Sequence, residues 1–346
     1  MRRLISSLTL IVLAALSFGT DAPASAQPDR RTPVRIEVPN AKNLQFFTLW
    51  VALGAKYFEQ EGLEPKILYA STPRSTGELL FRGDADVALL PPPMFLGMMA
   101  EGKPIALFAS LLANEPINLV VRKDVAAARK FSARSSLRER LQAISGLKVG
   151  LAGEVAPRLR ALFAFAGLDA DKELRLVTIE GPRQVQAFGR GEVDVLFAHT
   201  PYLETVLVQH QAMLVVDTSS GEVPALADGQ IHALATTRAS VERNSALMVS
   251  VARAIYRAQR LIHSDARATV DAILASGAAG PDRSLVETFA AVYGPAVPST
   301  PSISLAGIER DAVLYPAHPR APDFSRVKAS DFVAATIAQQ AIQAPR

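Results

Sequence analysis

The sequence predicts an α/β protein made of two similar lobes, joined by a hinge of crossover segments with a cleft between them. Three observations lead there. First, an offset of 108 residues carries Arg82, Gly83, Asp86, Val87 and Pro93 onto Arg190, Gly191, Asp194, Val195 and Pro201, with Asp84 matched by Glu192. Second, both copies run in the same order: a helical segment, a glycine able to take the left-handed conformation that closes it, an aspartate, then an unbroken apolar strand. Strands that are apolar on both faces belong to parallel sheets covered by helices, and ligands collect beyond their carboxyl ends. Third, the length left after an amino-terminal leader suits two domains of about 150 residues each. The competing reading is a chance likeness of two α/β units, which would pack the copies into one sheet or away from a shared crevice.

The elements follow in order. Arg2 and Arg3 precede an uncharged apolar stretch over residues 4–18 and then Ala24-Ser25-Ala26, the pattern of a secretory leader cleaved before Gln27. The stretch is shorter than the roughly 20 apolar residues of a spanning helix. Residues 34–38 form a first strand broken by Pro39 and Asn40, and an amphipathic helix over 46–60 is closed by Gly62. Residues 66–69 form a second strand. In the loop 70–76, Ser and Thr are placed to cap the helix carrying residues 78–81, leaving amide groups for a polar or anionic ligand group. Beyond the first repeat copy comes a strand at 105–109. Asn114-Glu115-Pro116 interrupts it, and the extended segment 117–121 crosses between lobes. The second lobe holds a helix over 137–144, a strand over 147–151, a helix over 158–166 and a strand over 174–179. Gly167-Leu168-Asp169 echoes Gly62-Leu63-Glu64. After the second copy, a strand at 213–216 and a return segment at 231–236 lead into a strongly helical stretch from 241. A proline-rich loop spans 295–301, and a closing helix spans 331–343. The division expected is a signal peptide over 1–26, lobe 1 over 27–121, lobe 2 over 122–232, and lobe 1 again with carboxyl-terminal helices over 233–346.

Composition narrows the function. The chain has no cysteine, which excludes disulfides, thiolate metal sites, cysteine nucleophiles and a lipidated amino-terminal cysteine. An exported periplasmic protein that is not a lipoprotein is expected, acting as a monomer. Removing Arg2, Arg3 and Asp21 with the leader leaves a net charge of +3, too slight for nucleic-acid binding, and no basic block supports it. No nucleophile elbow, phosphate loop or zinc-protease signature occurs, and the five histidines are scattered, so no cofactor, metal or catalytic residue is expected.

A series of short motifs then carries a family resemblance. They are Trp50-Val51-Ala52 to Tyr57-Phe58-Glu59-Gln60-Glu61-Gly62-Leu63, the first Gly-acid-x-Asp unit, Ala100-Glu101-Gly102-Lys103-Pro104, Ile144-Ser145-Gly146-Leu147-Lys148-Val149, and the second Gly-acid-x-Asp unit. In this order, behind an export signal, they resemble the substrate-binding proteins of ABC importers that handle sulfonates, taurine, nitrate and thiamine-pyrimidine precursors. The resemblance covers most of residues 34–260. It implies a type II periplasmic binding fold that closes on a small organic ligand and hands it to an ABC permease in the inner membrane. Some relatives are pyrimidine synthases using a cysteine-rich motif absent here, and a sensor module is a further alternative. The turn Ala152-Gly153-Glu154-Val155-Ala156-Pro157 departs from the group, placing a carboxylate where Ser or Thr is usual.

Strand-end loops should line the cleft. One wall is expected to offer Asn43, Gln45 and Phe46, then Ser71, Thr72 and Arg74, then Pro91 and Pro92, with Asn114 near the crossover. The other should offer Gly153, Glu154, Gly181, His199, Thr200 and Tyr202. Arg74 has the fork to grip a carboxylate or sulfonate, although a loop arginine is commonly solvated. Glu154 suits an amine, although a helix dipole alone would stabilise it. His199 suits donation to a ligand or, equally, a backbone partner. Of the adjacent rings Phe46 and Phe47, one is expected inward as core and one toward the loop to stack on a flat solute, with Phe47 the core ring.

Overall fold

The computed structural model describes residues 31–39, 43–72, 75–209, 212–280, 282–314 and 327–343. The leader and Arg74 lie outside the described residues. Strands β1 (Thr32–Val38), β2 (Leu63–Tyr69), β3 (Val87–Leu90), β4 (Ile105–Leu112) and β10 (His232–Thr237) form one five-stranded sheet in the order β2-β1-β3-β10-β4. The second sheet, in the order β7-β6-β8-β5-β9, takes β5 (Asn118–Arg122), β6 (Lys148–Leu151), β7 (Arg175–Thr178), β8 (Val195–Ala198) and β9 (Ala212–Val216). The first three strands of each lobe pair in parallel. The fourth place in each is an antiparallel strand, β10 between β3 and β4, and β5 between β8 and β9. The two repeat copies thus supply the middle strand of two separate sheets, which rules out their lying side by side in one.

The repeated aspartates have a structural task. Asp86 accepts hydrogen bonds from the Arg35 backbone N–H (2.9 Å), Nε (3.0 Å) and Nη2 (2.8 Å), tying the start of β3 to β1. Asp194 accepts the N–H of Lys148 at 3.1 Å and ties β8 to β6 in the same way. Burial alone would raise the Asp86 carboxyl; the Arg35 hydrogen bonds and charge outweigh it and hold the group below its ordinary value. The closing glycines Gly83 and Gly191 have φ of 78° and 70°, the left-handed region that a Cβ disfavours. Both aspartates sit at strand amino ends, remote from the edge where ligands collect.

Three local expectations are corrected. The helix expected over 46–60 is two, Phe47–Gly54 and Tyr57–Gln60, broken where Lys56 turns left-handed at φ 57°. The helix Glu78–Arg82 is entered through Gly77 with no side-chain cap; Ser71, Thr72 and Ser75 bond to one another instead. Its opening amides, those of Gly77, Leu79 and Leu80, face the buried Glu37 carboxyl, which burial pushes above its ordinary range against their pull. The segment at 117–121, expected within the first lobe's boundary, becomes β5 of the second sheet.

The lobes meet at two crossovers, 113–117 and 217–231, laced by buried polar groups. Asn114 donates to the Ser219 carbonyl (3.0 Å) and accepts from the Asp228 N–H (3.1 Å). Asn118 donates to Ser219 Oγ (2.9 Å), and Thr218 donates to the Glu115 carbonyl (3.0 Å). Helix Arg283–Tyr293, whose Phe289 packs edge-on against Phe47, also touches helix Tyr202–Gln209 of the second lobe. On that contact Glu204 is fully buried: Thr200 donates to one carboxyl oxygen and the other has no partner.

Burial pushes the Glu204 carboxyl up to about 7. The folded protein therefore holds this proton more tightly than the unfolded chain, and stability falls as pH rises from the ordinary carboxyl value of 4.5 toward about 7. Glu204→Gln should flatten that slope, gaining on the order of 1–3 kcal/mol relative to the parent between about pH 5 and pH 8, read by thermal melts across pH. At Gly54 a Cβ would stand 1.9 Å from the Ala272 carbonyl oxygen of helix Ala266–Ala275. Gly54→Ala should force those helices apart and cost about 1–3 kcal/mol, measured by denaturant unfolding.

Candidate functional site

The carboxyl ends of the parallel strands present the loops named from the sequence. In the second lobe the structure gathers most of them. β6 ends at Leu151, and after Ala152 the 3-10 turn Gly153–Val155 feeds helix Ala156–Phe165. The Gly153 N–H donates to Glu180 Oε1 at 3.0 Å across from the end of β7. Next to Glu180, Gly181 is left-handed at φ 56°, and a Cβ built there would stand 3.5 Å from Tyr202 Oη. Tyr202 is half-buried; desolvation and then the Glu180 charge raise its phenol above the ordinary value. The rings of His199 and Tyr202 lie 5.5 Å apart. Glu154, Gly181 and Tyr202 thus gather around Glu180, with His199 against Tyr202 and Glu154; Glu180 itself is not among the residues named from the sequence.

His199 leans on its own chain. Its Nδ1 contacts the Thr200 carbonyl, which can only accept, so Nδ1 carries the hydrogen and Nε2 keeps a lone pair. Desolvation lowers its pKa from 6.5 and the imidazole is neutral near pH 7. Thr200 is withdrawn from the cleft: it is buried and its hydroxyl caps Glu204. Two further residues escape sequence reasoning. Glu115, in the first crossover, and Arg158, one turn into helix Ala156–Phe165, form a buried ion pair at 3.5 Å. Arg158 also donates to the Glu154 carbonyl (3.4 Å). An arginine inside a helix and a glutamate before a proline carry no local signal of partnership; only the meeting of hinge and helix creates it.

The first lobe is less gathered. Asn43 caps the 3-10 turn Leu44–Phe46 by accepting the Gln45 N–H at 2.9 Å, and its carbonyl accepts the Trp50 indole N–H at 2.8 Å. Phe46 and Phe47 are both buried, at 2% and 1% exposure, which corrects the expectation that one ring turns toward the loop. They lie at a 3-10-to-helix junction, where successive side chains fan by about 100° rather than alternate, so both find core. Phe46 packs at 5.1 Å edge-on against His232, whose imidazole burial drives down to about 3. Pro91 and Pro92 start helix Pro92–Ala100, Pro92 buried. Ser71 and Thr72 are exposed. The Asn114 amide is spent on the hinge, a correction to its role in the cleft. Helix Leu305–Leu314 touches both Pro92–Ala100 and Ala156–Phe165, spanning the two lobes.

Comparison with known proteins agrees with this architecture. No curated protein sequence matches the chain. Among solved structures, the alkanesulfonate-binding protein SsuA of Xanthomonas axonopodis pv. citri, bound to MOPS, superposes with a TM-score of 0.58 at 16% identity, covering 88% of this chain and 98% of that one. The periplasmic nitrate-binding protein NrtA of Synechocystis PCC 6803 gives 0.58 at 14% identity, covering 90% and 89%. The desulfurization enzyme DSZB gives 0.60 at 14% identity, covering 90% and 99%. At such identities the likeness is one of fold: the two lobes that the repeat implied, in the periplasmic binding fold that the family resemblance implied. The model of the NMT1-like family matches residues 34–276, and the chain belongs to that family.

Proposed function

We propose that this protein is an exported solute receptor that captures a small organic molecule between its lobes and delivers it to an ABC permease. The observation that carries the reading is the matched strand order of the two sheets, each ending in polar loops, with two crossovers between them. Such a frame places ligand groups on both sides of one crevice and lets a few crossover torsions close it. The leader pattern over residues 1–26 and the fold shared with sulfonate- and nitrate-binding proteins support export and transport. No helix among the described residues is long and apolar enough to cross a membrane.

An enzymatic reading draws on the likeness to DSZB. The sequence holds no cysteine to serve as a nucleophile, and no group of three or more potential metal-ligating side chains occurs among the described residues. The polar groups around Glu180, among them the Gly153 N–H, Glu154 and the Tyr202 phenol, suit the holding of a solute.

Two outcomes are expected. A captured solute should survive purification and be weighed by native mass spectrometry; re-added at 100 times its Kd, it should stabilise the fold by about 2.7 kcal/mol in a thermal melt. Turnover of a candidate solute without such a shift would favour the enzyme. Expressed from its own first methionine in a Gram-negative host, the protein should be recovered from the periplasm with Gln27 at its amino terminus, read by intact mass.

A further inference from the structure

The backbone amide that a bound oxyanion would seek at the start of a strand-end helix is already engaged in this lobe. The Gly153 N–H, which opens the turn into helix Ala156–Phe165, donates to the chain's own Glu180 at 3.0 Å. Around it the described wall is rich in acceptors. Glu154 is exposed beside Gly153, and the second nitrogen of neutral His199 is a lone pair. Arg158, which donates to the Glu154 carbonyl, is itself paired with Glu115 in the hinge. The Glu180 charge acts on the Tyr202 phenol, whose ring lies 5.5 Å from that of His199, and an electron-rich phenol face favours a cation over an anion. A sulfonate or nitrate placed here would meet Glu180 and Glu154 with the nearest amide donor taken. A protonated amine would meet two carboxylates and an aromatic ring.

We propose that Glu180 is a specificity residue: its carboxylate fills the amide seat that an oxyanion would take and, with Glu154 and Tyr202, selects a solute bearing a protonated amine. This rests on the receptor reading and deepens it. Glu180 is the last residue before the left-handed Gly181, and the turn brings its carboxylate to the Gly153 amide, where its charge also acts on the Tyr202 phenol. Glu180→Gln keeps an acceptor for that amide while removing the charge, which isolates charge from geometry.

The test is calorimetry on the purified protein with matched probes, each scaffold carrying either an ammonium or a sulfonate: butylamine against butane-1-sulfonate, and benzylamine against phenylmethanesulfonate. The parent should bind the ammonium member of a pair more tightly. Glu180→Gln and Glu154→Gln, with melting temperatures matching the parent, should each weaken ammonium binding roughly tenfold, and Glu180→Gln should narrow the gap to the sulfonate. Tighter binding of the sulfonates by the parent, or a preference unchanged in Glu180→Gln, overturns the assignment and leaves the receptor standing. Failure of every probe, with a co-purified anion found by native mass spectrometry, does the same. Failure of every probe with no co-purified solute overturns both.

Discussion

Two sheets in one chain can be bridged only if the bridging backbone, buried between them, finds partners for its polar groups. Asn114, Asn118, Thr218 and Ser219 meet that constraint here, each answering a carbonyl, amide or hydroxyl of the opposite crossover. Without this lacing the crossovers would carry orphaned groups into a low-dielectric interior, each costing about 1–3 kcal/mol. The strand ends, and hence every group around Glu180, are positioned relative to the first lobe through it. A side chain such as Asn114, read from the sequence as a cleft residue, is therefore better understood as part of the frame.

Fold and site differed in how far they were legible. Residues 82–87 and 190–195 advertise themselves because their constraints are local: a left-handed glycine, then an aspartate that pins the neighbouring strand. The same local chemistry must recur wherever that turn recurs, and the sequence shows it twice. The break at Lys56 is the opposite case. Gly54 stands two residues before it, but a lone glycine in a helical pattern does not fix a break, and the need for it shows only in the close approach of Ala272, 218 residues later in the chain. Ser71 and Thr72 mislead for a related reason: they have the chemistry of caps, but Glu37 on β1 already faces the amides they were expected to serve.

At the site, position was easier to read than role. The loops at the ends of β6, β7 and β8 follow from the fold, so Glu154, Gly181, His199 and Tyr202 could be named together. That the Gly153 amide is met by Glu180, and Arg158 by Glu115, depends on contacts 27 and 43 residues apart in the chain. Burial then alters chemistry as well as place. His199 and His232 are both kept neutral by desolvation, and so contribute no positive charge to either lobe.

The placing of β5 and β10 bears on how the molecule moves. Each is threaded into its sheet with a neighbour on both sides rather than laid along a rim. A twist applied at 113–117 or 217–231 therefore reaches a strand anchored by two ladders, which resists fraying. A closure of the kind proposed would therefore turn each sheet as a plate and leave the bending to the short spans between the plates.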